Sequence, residues 1–339
     1  MQIFRKFSSK KNAKGVIGES SDSDLHIPRK VEVQPCEWPH DAFMEEAGFH
    51  QEFAQFVANA GLTEFLADKC DQYHILTNSF AQSFTYLGRN NPPEVQFNLY
   101  AEPHTLSLAD FCNICLIPSD GDLREPRPSE FEDFLLALTV GEDRGVSSAT
   151  ATSLQFPTVH YFALVIAKCL TAREKVGALS APELAILRLA LYDDHTFSMG
   201  AIIARRLHLN KTKGKIHGGI YATRLANHFR IPFCPHDYLL SRVYLDHKTL
   251  QAHQFLDVTD SPRDIHYNLV FSKETRDIIP LPAPALFDSI ARNGYRIIPD
   301  DITAYRNNLA AAEEEPQGWD AQVPLPPHYH LGPGGYYRW

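Results

Sequence analysis

Between Asp194 and Asp237 the chain carries Arg205, Arg206, Lys211, Lys213, Lys215, Arg224 and Arg230, and no Asp or Glu. Cations gathered in this way can neutralise phosphates, and lysines in a glycine-bearing loop can reach a nucleic-acid backbone without reading its sequence. The centre of the stretch is RRLHLNKTKGKIHGGIYATR. It reads as two arginines near a helix C-terminus, where cations are favoured, then a lysine-rich loop with Gly214, the pair Gly218-Gly219 and a new helix. The candidate backbone contacts are therefore Arg205, Arg206, Lys211, Lys213, Lys215 and Arg224. The same residues also admit a second reading, a solvated loop whose charges offset Asp193, Asp194, Asp237 and Asp246. A nucleotide-binding loop of Walker A type is excluded, because Gly214-Lys215 is followed by Ile216 rather than Ser or Thr.

Other chemistry has less support. Cys112-Asn-Ile-Cys115 has redox or metal spacing, but no second Cys-x-x-Cys pair or compact His pair follows it, and both thiols sit in a helical apolar pattern that predicts core packing. His208, His217, His228 and His236 are too far apart in sequence to imply a zinc site. There is no Gly-x-Ser-x-Gly elbow. The acidic pairs Asp193-Asp194 and Asp300-Asp301 are adjacent residues, which on a helix diverge by ~100° and read as caps or turns rather than a metal-binding dyad. The sequence therefore predicts no catalytic residues, no metal, no cofactor and no small-molecule substrate.

The elements that must carry the basic segment are legible from periodicity. Val95, Phe97 and Leu99 alternate with polar residues as one face of a strand, Glu102-Pro103-His104 supply a turn, and Thr105 and Leu106 return. Ser107 then stands three residues before Asp110, a capping-box-like spacing, and Leu108, Phe111, Cys112 and Cys115 follow at helical intervals up to Pro118 and Gly121. Earlier, Phe49, Phe53, Phe56, Val57 and Ala60 mark a helix ended by Gly61, a second helix spans 62–69, and a third spans 73–87. Later, Ser129 with Glu132 opens a short helix. Gly141 to Ser153 reads as a loop, Pro157 begins another helix, and Ser180-Ala-Pro-Glu183 caps the next. Residues 197–207 and 238–255 carry further helical spacing.

A chain of 339 residues, 44% hydrophobic, can bury a sizeable core. Its formal charge of −9 argues against a general polyanion binder, which makes the local basic segment the more informative feature. No apolar run approaches the ~20 residues that span a bilayer, and MQIFRKFSSKKNAKG lacks a signal-type apolar segment, so the expectation is an intracellular protein, nuclear or cytoplasmic. Six cysteines give no disulfide framework. Residues 1–40, with Lys10, Lys11, Lys14 and a Ser/Asp run, read as a disordered tail, and 299–339, ending PLPPHYHLGPGGYYRW, as another.

Two blocks carry a family resemblance. The F-x-L-Y strand, turn and T-L-S-L-x-D-F helix near residues 97–111, and FSMGAIIARRLHLNK with KGKIHGGIYATRLA over 197–226, resemble the first-open-reading-frame protein of Athila-type plant retrotransposons. The likeness covers roughly residues 95–260, with 197–226 as its most recognisable block, and a fainter similarity to the plant mobile domain accompanies it. It implies a transposon-derived protein with a gag-like role. The Cys/His knuckle, protease and polymerase motifs of a complete retroelement polyprotein are missing. The expected fold is mainly α, a single helical core over 41–298 with one small β-hairpin and disordered termini. The expected function is non-enzymatic: non-specific binding of RNA or DNA backbone, self-association, or both. The alternative is a plant-mobile-domain-like interaction scaffold with no nucleic-acid contact. Neither reading involves a membrane.

Overall fold

The computed structural model describes residues 32–139, 150–173, 177–210, 215–257, 265–270, 276–282, 330–331 and 337–338. The chain begins with two short strands, β1 (Glu32–Val33) and β2 (Glu37–Trp38), followed by helices α1 (Asp41–Glu46), α2 (His50–Asn59), α3 (Thr63–Ala67) and α4 (His74–Ser83). A meander β3 (Thr85–Leu87), β4 (Glu94–Leu99), β5 (Glu102–Ser107) leads into α5 (Leu108–Cys115). Then come a 3-10 turn at Pro128–Phe131, α6 (Glu132–Leu138), a second 3-10 turn at Ala151–Ser153, and α7 (Pro157–Val165) running into a π-helical turn at Ile166–Leu170. Beyond lie α8 (Ala181–Tyr192), α9 (Met199–Asn210), β6 (Lys215–Ile216), α10 (Gly219–Phe229), β7 (Val243–Tyr244) and α11 (His247–Ala252). Strands β8 (Ile265–Val270) and β9 (Arg276–Leu281) form a hairpin, and β10 (His330–Leu331) pairs with β11 (Tyr337–Arg338).

Helix makes up about half of the structure, but the sheets exceed the single hairpin expected. Strand β3 joins β4 and β5 into a three-stranded antiparallel sheet. The helix expected over 73–87 stops at Ser83, whose hydroxyl donates back to Ser79 O at 2.7 Å and accepts from Asn98 N at 2.7 Å. That side chain hands the backbone over to the sheet, where the β-branched Thr85 and aromatic Tyr86 are favoured. The turn of the main hairpin is Tyr100-Ala101, because Leu99 pairs with Glu102 and Pro103 with Asn98 within the ladder. Val95, Phe97 and Leu99 are buried as the alternation required.

Local capping explains where the helices begin. Ser107 Oγ accepts from Asp110 N at 3.1 Å, and Ser180 N and Oγ donate to Glu183 Oε2 at 2.9 and 2.7 Å. At the α6 approach the capping acid is Glu130, which accepts from Arg127 N at 2.7 Å, and not the expected Glu132. Only 247–252 of the expected 238–255 helix forms, with Asp246 as its cap. Upstream, the backbone is drawn into pairing: His74 N donates to Tyr238 O at 3.1 Å, Leu240 N to Gln72 O at 2.8 Å, and β7 runs parallel to β2. Tertiary pairing here overrides local periodicity.

The N-terminal tail ends earlier than expected. Residues 32–38, assigned to it from composition, supply β1 and β2, and Cys36 and Trp38 are fully buried. Residues 1–31, most of the 141–153 loop and most of 299–339 lie outside the described residues. The buried apolar side chains form one cluster from Cys36 to Leu281. At one end Phe43, Phe49, Phe53, Tyr161 and Phe255 interlock, with Phe49 and Tyr161 ring centroids 5.3 Å apart. At the other, Phe80, Phe84, Phe97 and Phe111 pack at 5.2–5.7 Å, within the range of favourable aromatic pairs.

His160 sits fully buried in the first aromatic group, beside Phe255 and Tyr267. Tyr267 OH donates to Leu154 O, so its oxygen accepts from His160 Nδ1 at 3.1 Å and the neutral ring carries its proton there. Burial, with a smaller contribution from His253, pulls the imidazole pKa down to about 3. An unfolded His takes up a proton near its ordinary value of ~6.5, whereas the folded one resists, so acidification favours the unfolded chain. Stability should therefore be fully present above pH ~6.5 and fall by up to ~1.4 kcal/mol per pH unit below it. Thermal melts of the protein and His160→Phe between pH 7.5 and 4.5 should show a shallower decline in the variant. Parallel curves would place the acid sensitivity elsewhere.

Candidate nucleic-acid interface

The basic segment begins on α9. Ser198 Oγ accepts from Ala201 N at 3.2 Å and donates to Ser119 O at 2.9 Å, which pins the helix start to the loop after α5. Met199, Ile202, Ile203 and Leu207 face the core. Gly200 lies against α5 so closely that a Cβ there would stand 2.2 Å from Cys112 Sγ. Cys112 and Cys115 are fully buried, and burial pushes the Cys112 thiol up to about 12. Among the described residues no group of three or more His, Cys, Asp or Glu is placed to hold a metal ion.

Arg205 and Arg206 leave the helix in different directions. The Arg205 guanidinium donates to Leu123 O, and to Arg124 O at 3.3 Å, and lies 5.5 Å from the Tyr86 ring centroid. Arg206 Nη2 donates to Ser180 Oγ at 2.9 Å. It joins a polar knot in which the nearly buried Glu183 is paired with Arg173. Burial pulls the Arg206 pKa down, against the attraction of Glu183. Asn210 closes α9 by donating to Thr171 O at 3.0 Å and Ala172 O at 2.9 Å. The two arginines thus fasten α9 to its neighbours.

Lys211 and Lys213, with Thr212 and Gly214, lie outside the described residues. Lys215 is half-buried, opens β6 and stands opposite Glu32 in the parallel β1–β6 register. Gly218-Gly219, read as loop glycines, serve packing. Gly218 has φ +108°, and a Cβ on Gly219 would come within 2.7 Å of Thr77 Oγ1 and 2.8 Å of Gln72 Oε1. Only a bare backbone lets α10 approach α4 this closely.

Arg224 is not on the surface. It is 5% exposed, and its Nε meets Asp68 Oδ2 at 3.1 Å. Nη1 donates to Cys115 O at 2.8 Å, and Nη2 donates to Phe65 O at 2.7 Å and Asp68 O at 2.9 Å. The guanidinium also stacks 4.5 Å from the Phe65 ring centroid. Its place among the candidate phosphate contacts is corrected: the donors that would meet a phosphate are spent on carbonyls at the C-terminal ends of α3 and α5. The sequence signal that could have shown this is its position on the same face of α10 as the buried Ile220, Tyr221 and Leu225.

A second ionic group was not foreseen. Glu37 accepts from Lys168 Nζ at 3.0 Å, lies 2.6 Å from His253 Nε2, and its backbone carbonyl accepts from Cys169 Sγ at 2.9 Å. Burial pushes the Glu37 carboxyl up, but the hydrogen bond and charge of His253, with Lys168, outweigh it and hold the group below its ordinary range. These contacts tie β2 to the π-helical turn and to the residue after α11. The single visible hint is Lys168 inside the apolar run YFALVIAKCL.

With this geometry in hand, the chain matches the family model described as ATHILA ORF-1 family over residues 26–193. No curated protein and no solved structure matches it. The matched stretch contains the meander and α5 but ends before the 197–226 block expected to be the most recognisable part. The basic segment thus lies outside the match.

The two kinds of cation separate under mutation. Arg224→Ala leaves the Phe65, Asp68 and Cys115 carbonyls without their donor, while the half-exposed Asp68 carboxylate keeps its water, and an orphaned buried acceptor costs ~1–3 kcal/mol. Lys215→Ser, at the half-buried opening of β6, should cost about 1 kcal/mol or less. Chemical denaturation of both variants tests this, and an Arg224→Ala midpoint equal to that of the parent would return Arg224 to the surface set.

Proposed function

We propose that this chain, which over residues 26–193 belongs to the ATHILA ORF-1 family, is a retrotransposon-derived, gag-like protein that acts without catalysis. It holds RNA or DNA backbone non-specifically through the lysines that follow α9, associates with itself, or does both. The observation that carries this reading is the acid-free segment between Asp194 and Asp237 in a chain of formal charge −9. Its arginines at 206 and 224 are turned inward, so the working cations are Lys211, Lys213 and Lys215, with Arg205 at the margin. Lysines of this kind supply sequence-independent, salt-sensitive affinity. Its place of action is the nucleus or cytoplasm, and among the described residues no helix is long and apolar enough to cross a membrane.

A second reading, an interaction scaffold with no nucleic-acid contact, draws on a different observation. Ile75, Tyr238 and Leu239 are 40%, 56% and 54% exposed at the start of α4 and in the segment paired to it, and the Tyr238 ring stacks on His74 at 4.4 Å. Exposed apolar groups gathered at one place are a common mark of protein contact.

Replacing Lys211, Lys213 and Lys215 together by Ser decides between the two. The phosphate reading expects weaker binding to long RNA and DNA, and a log affinity–log salt slope flatter by ~2–3 units, since each lost contact removes just under one released counterion. Thermal stability should be nearly unchanged. Equal affinity and slope in parent and variant, measured by fluorescence anisotropy across a salt series, would put the scaffold first.

A further inference from the structure

The three-stranded sheet has an open side. Its order is β3-β4-β5, so β5 is an edge strand, and among the described residues no strand pairs with its far side. The two-residue turn makes Leu99 and Glu102 a hydrogen-bonded pair, from which bonded and non-bonded pairs alternate along the ladder. Two further bonds fix the same alternation: Leu108 N donates to Pro93 O at 2.8 Å, whereas Asn98 N turns away from β5 to Ser83 Oγ at 2.7 Å. Glu102, His104 and Leu106 therefore direct their backbone groups at β4, and Pro103, Thr105 and Ser107 point theirs outward. Pro103 and Thr105 are exposed, and Ser107 is half-buried.

These outward groups form a self-complementary set. Ser107 offers an N–H, but its carbonyl, at the N-cap of α5, already accepts the first bond of that helix. Pro103 is the converse, with a carbonyl and no N–H. Thr105 offers both. A second β5 laid antiparallel, with Thr105 on the twofold axis, puts Pro103 of each copy opposite Ser107 of the other. The carbonyl that lacks a donor beside it then meets the donor that lacks a free carbonyl. Thr105 N–H bonds to Thr105 O and Ser107 N–H to Pro103 O, each twice. Shifting the register by two residues one way sets Thr105 O against the missing donor of Pro103, and the other way aims Thr105 N–H at the engaged carbonyl of Ser107. Proline on an edge ordinarily blocks pairing by removing a donor, but the position it faces in this register needs none. The side chains agree: Thr105 faces Thr105, a favourable cross-strand pair, and the half-buried Leu106 faces His104 in the narrower pairs.

We infer that β5 is a self-association edge, through which two copies of the chain join their sheets in the order β3-β4-β5-β5-β4-β3. This rests on the self-association named in the proposed function and gives it a surface separate from the basic segment. The contact is short, which places it among weak, transient interfaces.

The test is sedimentation velocity of the full chain, freed of nucleic acid by nuclease, over roughly 5–500 μM, the range in which weak pairs dissociate. The parent should pass from monomer to dimer. Thr105→Pro removes the central donor of each copy without touching the β4–β5 ladder, and should weaken pairing roughly ten- to a hundredfold, the effect of two lost hydrogen bonds. Thr105→Lys and Thr105→Glu set like charges across the axis, so each alone should stay monomeric, and because Thr105 is exposed each should melt like the parent. Mixed in equal amounts, these two variants should form a heterodimer, a recovery that a misfolded chain could not give. If Thr105→Pro melts early, the lysine and glutamate variants decide. A parent that dimerises together with variants that dimerise equally well would place self-association on another surface and overturn the edge, as would a lysine–glutamate mixture that stays monomeric. A parent that is monomeric at every concentration defeats the self-association reading itself, and the edge falls with it.

Discussion

The structure turns on one buried guanidinium. Arg224 projects from α10 into the junction of α3 and α5, where Phe65 O, Asp68 O and Cys115 O converge. Helix C-termini leave carbonyls without intrahelical donors, and burying those groups unsatisfied would be costly. A planar cation with several fixed donors can serve several carbonyls at once while pairing with Asp68, as no lysine could. This arrangement requires α10 to lie close to α4, which in turn requires glycine at 219. The sequence feature that first suggests a ligand loop, two adjacent glycines followed by an arginine, is thus largely a device for closing the core.

That reversal shows where sequence reasoning reached and where it stopped. Caps at Ser107 and Ser180, the alternation of Val95, Phe97 and Leu99, and the aromatic face of α2 were legible because each is set by neighbours a few residues away. The β1–β6 and β2–β7 pairs were not, since two-residue strands have no periodicity to detect and their partners lie some two hundred positions along the chain. The β8–β9 hairpin was not legible because proline is disfavoured inside a strand, yet Pro280 is accommodated in β9 opposite His266. For the basic segment, the charge pattern was visible but the fate of each side chain was not. Charge counts alone cannot distinguish an arginine facing solvent from one facing a carbonyl.

The inward turn of Arg206 and Arg224 makes the remaining charge distribution more pointed. Arg224 has Asp68 as its partner, whereas Arg206 shares the single carboxylate of Glu183 with Arg173, so the first charge is offset and the second only in part. Lysines suit the remaining role, because a compact ammonium on a flexible stem can follow a phosphate backbone without fixed geometry.

The parallel pairs close the start of the folded chain onto elements far along the sequence. Burying Cys36 and Trp38 anchors the start of the folded chain against elements more than 170 residues away, and the Glu37 contacts with Lys168 and His253 lock the same segment from the other side. The anchoring of residues 32–38 is therefore a closure of the core by two parallel pairs, with the buried Trp38 as its apolar plug and Glu37 as its ionic clasp.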